Sequence, residues 1–302
     1  MQILSASSSK LSTKTAVALG MFDGLHLGHR AVIQPALDYA GAQGLKTAVI
    51  TLENHPRELT RGAAPKLITN LDTRLALFEE LGIDYALVLK FDQELMSMSA
   101  EDYLEKYLLN ILNASFVSTG YDHHFGKDRS GTPKFLETWT KANSIELKVV
   151  DAVEQASSTI SSSKIRELIT EGKITEANAM LGYEFMIISQ VLEGDRRGRE
   201  LGFPTANLKL PEAMVVPLKG VYCGSAEYHG QAYKAVMNIG TRPSFSNSDE
   251  VIIEAHLLDF DQDIYDEKIK LRLNQRLRDE VKFNSAEELI KQIKADIELC
   301  TN

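Results

Sequence analysis

The chain has 302 residues, of which 44% are hydrophobic and 25% charged, a composition typical of a folded protein of about two domains. Its formal net charge of −9 argues against nucleic-acid binding through a general basic surface, because phosphate neutralisation dominates such binding. There is no long apolar run that would predict a membrane span, and the N-terminal segment lacks the pattern of a signal peptide. We therefore expect a cytoplasmic protein with small-molecule substrates as partners, no nucleic acid and no membrane, and a weak homo-oligomer stays open.

The chain contains two cysteines, Cys223 and Cys300, which are far apart in the sequence. Neither belongs to a CxxC motif or to a Cys/His spacing of the kind that holds zinc. The sequence therefore predicts reduced thiols, with neither a disulfide nor a thiolate zinc site.

The first half of the chain alternates apolar, β-branched runs with amphipathic segments, from TAVALGMF and RAVIQPALDYAG to IELKVVDAV. Such alternation is typical of a parallel sheet with crossover helices. Two helix starts have local support: Ser99 and Asp102 have the spacing of a capping box, and Asp72 precedes RLALFEELG. This half is predicted to be an α/β domain.

Near Gly172 the pattern changes to strand-like segments joined by tight turns, which is typical of antiparallel β-structure. His229-Gly230 is predicted to form a hairpin turn, and Ser285 begins a closing helix whose capping box Glu288 completes. The boundary is expected between about residues 172 and 186. This gives predicted domains of residues 1–182 and 183–302.

The segment GMFDGLHLGHR sets His26 and His29 around Gly28, between a strand-like run and a helix-like one. In the first turn of a helix the backbone N–H groups lack intrahelical partners, and the helix dipole favours an anion. Gly28 lets a phosphate approach the backbone closely, and imidazole nitrogens can donate to its oxygens. The segment therefore predicts a phosphate site that acts by positioning and charge stabilisation.

Two other interpretations of His26 and His29 stay open on these residues alone. They can be helix-cap and packing residues, or they can form a zinc pair. Zinc is the less favoured alternative, because no third ligand stands at a helpful spacing.

The whole of GMFDGLHLGHR resembles the signature of the HxGH nucleotidyltransferases. TLENHPREL, TGYDHHFGKDRSG and ISSSKIRELITEG follow it in an order similar to that in the adenylyltransferase half of bacterial bifunctional riboflavin kinase/FAD synthetases. The site residues that this resemblance implies are His26, His29 and Arg166 for catalysis, Gly20, Phe22, Asp23, Gly28, Ser162 and Ser163 for ATP or phosphate, and His55, Pro56 and Asp122 for flavin. The TGYDHHFGKDRSG segment departs from the family's usual pattern at Asp122, His123 and His124.

The SSSKIR segment also makes physical sense as part of such a site. Ser162 and Ser163 can cap a helix whose N-terminus faces an anion, and Arg166 supplies a fixed cation for a triphosphate. An ordinary serine-capped surface helix is the alternative.

A second candidate site lies in GDRRGRELGFPTANLKL. Backbone N–H groups around Gly198 and Gly202 can cradle phosphates, and Thr205 and Asn207 offer oxygen ligands suited to Mg²⁺. A flexible loop that leads into a strand is an equally good interpretation of these residues alone.

The segment GFPTANL is similar to the riboflavin kinase signature, and GVYCG, MNIGTRPSF and EAHLLDFDQDIYDEKIKLRL follow it in family order. The resemblance implies that Thr205 and Asn207 hold Mg²⁺ and ATP phosphates and that Glu254 is the base for the ribityl hydroxyl of riboflavin. Independently, Glu254 interrupts an apolar run, where an unpaired buried carboxylate would be costly. A buried structural ion pair is the alternative role. The family more often has Thr where Ser244 stands and Gly where Asp266 stands.

Together, the resemblance extends from about Thr15 to Asp296. It implies a Rossmann-like α/β HxGH nucleotidyltransferase domain, followed by a small antiparallel β-barrel riboflavin kinase domain with a C-terminal helix. The implied activities are phosphorylation of riboflavin to FMN and adenylylation of FMN to FAD, with ATP as the donor in both and Mg²⁺ as cofactor. The alternatives are that only one activity is retained, that another substrate is used, or that the chain is a flavin-binding regulator.

Overall fold

The computed structural model describes residues 1–155, 158–194, 198, 201–242 and 250–301. Its contacts divide the chain into two compact units. Unit 1 comprises Met1–Leu67 and Arg74–Ser161, and unit 2 comprises Ile68–Thr73 and Ser162–Asn302. Residues 162–182 therefore group by contact with the second unit. The boundary predicted at 182/183 stays a prediction.

Unit 1 contains a parallel sheet, as predicted. Six strands of its described residues pair in the order β1-β4-β3-β2-β5-β6. Their bounds are β1 Gln2–Leu4, β2 Thr15–Leu19, β3 Lys46–Leu52, β4 Tyr85–Leu89, β5 Ala114–Gly120 and β6 Glu146–Val150. All five residues of β2 are buried, which is expected for an inner strand of a sheet covered on both faces. Two-residue strands, β7 Glu154–Gln155 and β8 Ser158–Thr159, pair with each other.

Helices connect these strands, and their apolar faces complete the core. The α-helices are α1 Leu27–Gln43, α2 Pro56–Arg61, α3 Leu71–Glu80, α4 Gln93–Ser97, α5 Ala100–Leu104 and α6 Pro133–Ala142, with a π-helical turn at Glu105–Leu109 and a 3₁₀ turn at Lys127–Arg129. Half of the capping box predicted at Ser99 is confirmed: the Ser99 Oγ accepts from the Asp102 N–H at 3.0 Å, while the Asp102 carboxylate accepts from the Ser99 hydroxyl at 2.6 Å. Helix α3 begins at Leu71, and the side chain of Asn70 accepts from the Thr73 N–H.

Unit 2 contains a closed antiparallel barrel. Six strands of its described residues pair in the order β10-β13-β12-β11-β14-β9, and β9 closes on β10. Their bounds are β9 Phe185–Leu192, β10 Ala206–Lys209, β11 Gly220–Tyr228, β12 Gln231–Arg242, β13 Glu250–Leu257 and β14 Lys268–Arg278. The other elements are helices α7 Ser162–Thr170, α8 Ile174–Leu181 and α9 Ala286–Thr301.

The hairpin turn predicted for this unit is confirmed, and the capping box predicted at its closing helix forms in part. His229 and Gly230 join β11 to β12 with φ of 48° and 80°, the left-handed pair that a tight two-residue hairpin turn needs. At the start of α9, the Ser285 hydroxyl accepts from the Glu288 N–H at 3.3 Å. The Glu288 carboxylate accepts from the Asn284 N–H, one residue before the position that the capping box predicts.

The prediction of two separate thiols is wrong. Cys223 on β11 and Cys300 on α9 form a disulfide whose Cα atoms are 5.4 Å apart. The fold brings together residues that are 77 positions apart, a proximity that neither local spacing nor a motif reveals. Among the described residues, no helix is long and apolar enough to cross a membrane.

Candidate active sites

The segment from Gly20 to Arg30 forms the predicted strand, loop and helix N-terminus. Strand β2 ends at Leu19, and α1 begins at Leu27 with His26 as its N-cap. The His26 Nδ1 atom accepts from the His29 N–H at 3.3 Å, and the two imidazole rings stack with centroids 3.7 Å apart. His26 is buried. The two histidines therefore form one hydrogen-bonded, stacked pair at the N-terminus of α1.

The loop before α1 is held in an unusual backbone conformation. Phe22, Gly24 and Leu25 have φ of 56°, 83° and 37°. The buried Phe22 ring packs edge-on to His29, and a Cβ on Gly20 would lie 2.8 Å from that ring. A Cβ on Gly28 would lie 3.1 Å from the His26 imidazole. Gly28 thus leaves room for the His26 ring, in addition to the phosphate approach that the sequence suggests.

A buried arginine, which the sequence reasoning did not identify, supports this loop from unit 1. Arg74 Nη1 donates to the carbonyl oxygens of Met21 and Leu52 at 3.0 and 2.7 Å and to Thr51 Oγ1 at 2.9 Å. Burial lowers the pKa of the guanidinium, and the charge of the buried Asp23 raises it. Arg74 therefore ties the loop after β2 to the end of β3.

The residues expected to bind flavin follow β3 and β5. His55 caps α2, its Nδ1 accepting from the Arg57 N–H at 3.0 Å, and Pro56 occupies the first helical position. Asp122 lies exposed just after β5.

The neighbouring histidines differ from each other in environment. The His124 Nδ1 lies 2.8 Å from the Asp122 carbonyl oxygen, to which it donates. The His123 ring stacks on Phe125, and its Nε2 is buried without a hydrogen-bond partner in the described part of the chain. Burial lowers the pKa of His123 to about 4.

Helix α7 begins at Ser162, so Ser162 and Ser163 lie in its first turn. Arg166 is half-buried one turn later, and Ile165 and Ile169 of the same helix are buried. By contacts these residues belong to unit 2, and their proposed role toward ATP stays a prediction.

The second candidate site lies on the outer face of the barrel. Asn207, Glu254 and Asn238 are neighbours across three adjacent strands, since Glu254 pairs in register with both asparagines. Ile253 and Ala255 alternate with Glu254 and are fully buried. Glu254 therefore lies on the face opposite to Ile253 and Ala255.

This outer face borders a cavity of about 630 Å³. Its polar lining includes Thr205, Asn207, Asn238, Glu254 and His256. Apolar side chains from β11, β12, α9 and the segment before α9 complete it, among them Val221, Val236, Val281, Phe283, Leu289 and Ile293. Thr205, Asn207 and Glu254, which were predicted to share one site, all line this cavity.

A second cavity of about 280 Å³ is lined by residues 204–206, Val191, Ala255, Leu257 and residues 260–265. Thr205 lines both cavities. A ligand in one cavity can therefore meet a ligand in the other at Thr205.

The approach to β10 is tightly packed. The Phe203 N–H donates to the Gly198 carbonyl at 2.8 Å, and a Cβ on Gly198 would clash with the Phe203 carbonyl oxygen. Gly202 has a φ of 86°. The Asn207 amide occupies the space that a Cβ on Gly194 would need. Other residues of the GDRRGRE loop, at 195–197 and 199–200, lie outside the described residues.

Comparison with known proteins identifies the family. A family model described as FAD synthetase matches residues 8–164, and one described as riboflavin kinase matches residues 181–302. Proteins named bifunctional riboflavin kinase/FMN adenylyltransferase from Bacillus subtilis and Listeria monocytogenes are 38% and 36% identical to the chain. These matches cover 94% and 93% of this chain and 90% and 89% of the relatives. This chain belongs to the bifunctional riboflavin kinase/FMN adenylyltransferase family.

A solved structure supports the fold of the whole chain. It is a Streptococcus pneumoniae protein named as a macrolide-efflux protein, with 30% identity and a TM-score of 0.85. The match covers 100% of this chain and 99% of that one.

The two departures from the family's kinase pattern have different outcomes. Asp266 has a φ of 63°, the left-handed conformation that glycine adopts without strain, which explains why the family favours glycine there. Ser244 lies outside the described residues.

One further ion pair, at the larger cavity, was not predicted from the sequence. Arg278 on β14 donates from Nε and Nη2 to Asp296 of α9 at 3.0 and 2.8 Å, and Asp296 is only 2% exposed. Both residues line the larger cavity. In the sequence, the one indication of this ion pair is that Asp296, an acidic residue, lies on the buried face of an amphipathic helix.

We expect Arg74→Met to destabilise unit 1 by at least about 2 kcal/mol, because buried carbonyls lose their donor. Urea unfolding followed by the fluorescence of Trp139, the single tryptophan and a buried residue of unit 1, measures this. The exposed Arg61→Met provides the control, with an expected change within about 0.5 kcal/mol. Equal stability of Arg74→Met and the wild type would contradict the role given to Arg74.

The lowered pKa of His123 predicts that the stability of the protein depends on pH. Its pKa is about 4 in the folded protein against 6.5 as the reference value, so between these values the unfolded chain takes up a proton that the folded chain does not. Stability is therefore lost as pH falls from about 6.5 to 4. We expect His123→Phe to flatten this loss, measured as the Trp139 urea midpoint at several pH values. Parallel pH profiles of variant and wild type would rule out this contribution.

Proposed function

We propose that the two units of this chain carry out consecutive reactions, the barrel acting first and the α/β unit second. The chain phosphorylates riboflavin with ATP to give FMN, and it then transfers AMP from a second ATP to FMN, which gives FAD and pyrophosphate. We assign these activities to domains 183–302 and 1–182. The family models, which end and begin at residues 164 and 181, support this order along the chain.

The carrying observation for the kinase site is the convergence of Thr205, Asn207 and Glu254 on one cavity. The larger cavity, with its apolar walls, suits the flavin ring system, and the smaller one suits ATP. The two cavities share Thr205, so the γ-phosphate and the ribityl hydroxyl would meet beside it. Glu254 takes the proton of that hydroxyl as its oxygen attacks the γ-phosphorus and ADP leaves.

Thr205 and Asn207 also fit a magnesium ion. Their hydroxyl and amide oxygens are hard ligands, and Mg²⁺ is usually held by one or two protein groups together with substrate phosphates. The bound ion would neutralise charge on the phosphates of ATP. Gly194 leaves space for the Asn207 amide, and the N–H groups of Gly198 and Gly202 are assigned to the phosphates.

The adenylylation site is assigned to the N-terminus of α1. His26 Nδ1 accepts from the His29 N–H, so the neutral His26 ring carries its proton on Nε2 and can donate to a phosphate oxygen. With His29 and the dipole of α1, it would steady the ATP phosphates while an FMN phosphate oxygen attacks the α-phosphorus. Arg166 would neutralise the departing pyrophosphate, with Ser162 and Ser163 beside it.

The remaining assignments at this site surround the same loop and the ends of neighbouring strands. Gly20, Phe22, Asp23 and Gly28 shape the ATP loop, and His55, Pro56 and Asp122 are proposed to contact flavin. The position of His55 and Asp122 just beyond β3 and β5 supports this, because ligands of open α/β sheets bind outside the carboxyl ends of the strands.

Incubation with riboflavin, ATP and Mg²⁺, with chromatographic separation of FMN and FAD, tests the whole assignment. Both products are expected. If FMN accumulates without FAD, only the kinase domain is active. If supplied FMN is converted to FAD but riboflavin is not phosphorylated, only the adenylyltransferase domain is active. Absence of both products would favour the regulator or a nucleotidyltransferase with another substrate.

We expect His26→Ala with His29→Ala to lower FMN adenylylation by about a hundredfold or more, because loss of such donors typically costs two to three orders of magnitude. Riboflavin phosphorylation should stay within about twofold of wild type, and it serves as the control on the same preparation. FAD synthesis at the wild-type rate would remove the histidine pair from the site.

We expect Glu254→Gln to lower riboflavin phosphorylation by at least about a hundredfold, since it removes a general base while keeping size and hydrogen bonding. Supplied FMN should still be converted to FAD, and riboflavin affinity should change little. If Glu254 is instead a member of a structural ion pair, the variant will melt at a lower temperature and phosphorylate riboflavin at a near-normal rate per folded molecule. Melting temperature and both activities from one preparation decide between the two roles.

A further inference from the structure

His256 makes a contact that neither the sequence nor the family assignment identified. It lies two residues after Glu254 on β13, on the same face of the strand, and it lines the larger cavity. Its Nδ1 atom is 2.7 Å from the carbonyl oxygen of Pro204, and its ring packs edge-on to Phe203 with centroids 5.5 Å apart. A carbonyl oxygen only accepts hydrogen bonds, so Nδ1 is the donor.

The bond lies where backbone pairing between β10 and β13 stops. The register ends with Ala206 opposite Ala255, and its continuation would place Thr205 opposite His256. Strand β10 begins only at Ala206, so Pro204 and Thr205 lie beyond the paired residues. The His256 side chain therefore continues the attachment of this segment to β13 beyond the last backbone pair, Ala206 with Ala255.

The carbonyl that His256 holds belongs to the peptide bond between Pro204 and Thr205. Its carbonyl is held by a residue on the strand that carries Glu254, and on the other side the Phe203 N–H is held by the Gly198 carbonyl. The chain is thus anchored on both sides of Pro204. Loss of the His256 bond would remove the attachment to β13 that lies on the N-terminal side of Thr205 and keep the backbone pairing that follows it.

We propose that His256 is a positioning residue for riboflavin phosphorylation, which keeps Thr205 at a fixed place relative to Glu254 through the Pro204 carbonyl. The proposal rests on the assignment of Thr205 to MgATP and of Glu254 to the ribityl hydroxyl. Loosening the anchor misplaces the phosphate ligand relative to the base, so the effect falls on kcat and on the KM for MgATP. The apolar walls that hold the flavin are unchanged.

Two substitutions at this position separate the hydrogen bond from packing. His256→Leu keeps an apolar contact with Phe203 and removes the donor. His256→Asn places an amide N–H at the same number of bonds from the backbone as Nδ1, so it can restore the bond to the Pro204 carbonyl. His229→Asn, in the exposed hairpin turn where asparagine tolerates the left-handed conformation, is the matched control.

The experiment measures riboflavin phosphorylation with MgATP and riboflavin varied separately, riboflavin affinity by fluorescence quenching without ATP, and conversion of supplied FMN to FAD. For His256→Leu we expect kcat/KM for MgATP to fall by about three- to tenfold, the cost of one hydrogen bond. Riboflavin affinity and FMN adenylylation should stay within about twofold of wild type. His256→Asn should recover most of the loss, and His229→Asn should match the wild type.

Three results would overturn the proposal: normal kinetics in His256→Leu, an equal defect in His256→Asn, or a change confined to riboflavin affinity, which would make His256 a flavin contact. Thr205→Val, measured alongside, separates this inference from the site assignment. An active Thr205→Val shows that the assignment of Thr205 is wrong. An inactive Thr205→Val with a normal His256→Leu shows that only the positioning role is wrong.

Discussion

Whether one or both faces of a strand are buried decides where each unit can place polar, reactive side chains. Strand β2 is buried at all five positions, so its chain can present such groups only after Leu19. The loop and helix N-terminus that follow are where His26 and His29 lie. In the barrel the inner face is core, as Ile253 and Ala255 show, and the outer face carries Glu254 and His256. Parallel and antiparallel architecture thus lead to two different kinds of site, one at strand ends and one on a strand face.

The features that the sequence predicted well depend on rules that act over a few residues. The N-terminal position of His26 follows from an apolar run, a glycine-containing loop and a helical pattern in succession. The Ser99 cap and the His229-Gly230 turn follow from local hydrogen bonding and from the conformations that these residues allow. The resemblance to the family added the roles of Thr205 and Glu254, which local physics left open. The structure then placed both residues at one cavity.

The features that the sequence did not predict depend on partners far apart in the chain. Arg74 lies in an ordinary amphipathic helix pattern, and only the fold reveals that its guanidinium reaches Met21 and Leu52. The Arg278–Asp296 pair and the Cys223–Cys300 bridge both join the barrel to α9, across 18 and 77 residues. Because α9 also forms part of the wall of the larger cavity, these two links bear on the shape of that cavity as well as on stability.

The histidines at the two sites are set to opposite hydrogen-bonding roles by the backbone groups that they meet. At His26 the partner of Nδ1 is an N–H group, so Nδ1 needs a free lone pair and the proton of the neutral ring lies on Nε2. At His256 the partner is a carbonyl, so Nδ1 carries a proton, and in the neutral ring Nε2 is the acceptor. The first arrangement puts the proton on Nε2, the atom that the proposed adenylylation site assigns to a phosphate oxygen. The second uses its donor internally, which is why His256 is better suited to hold a loop than to stabilise a phosphate.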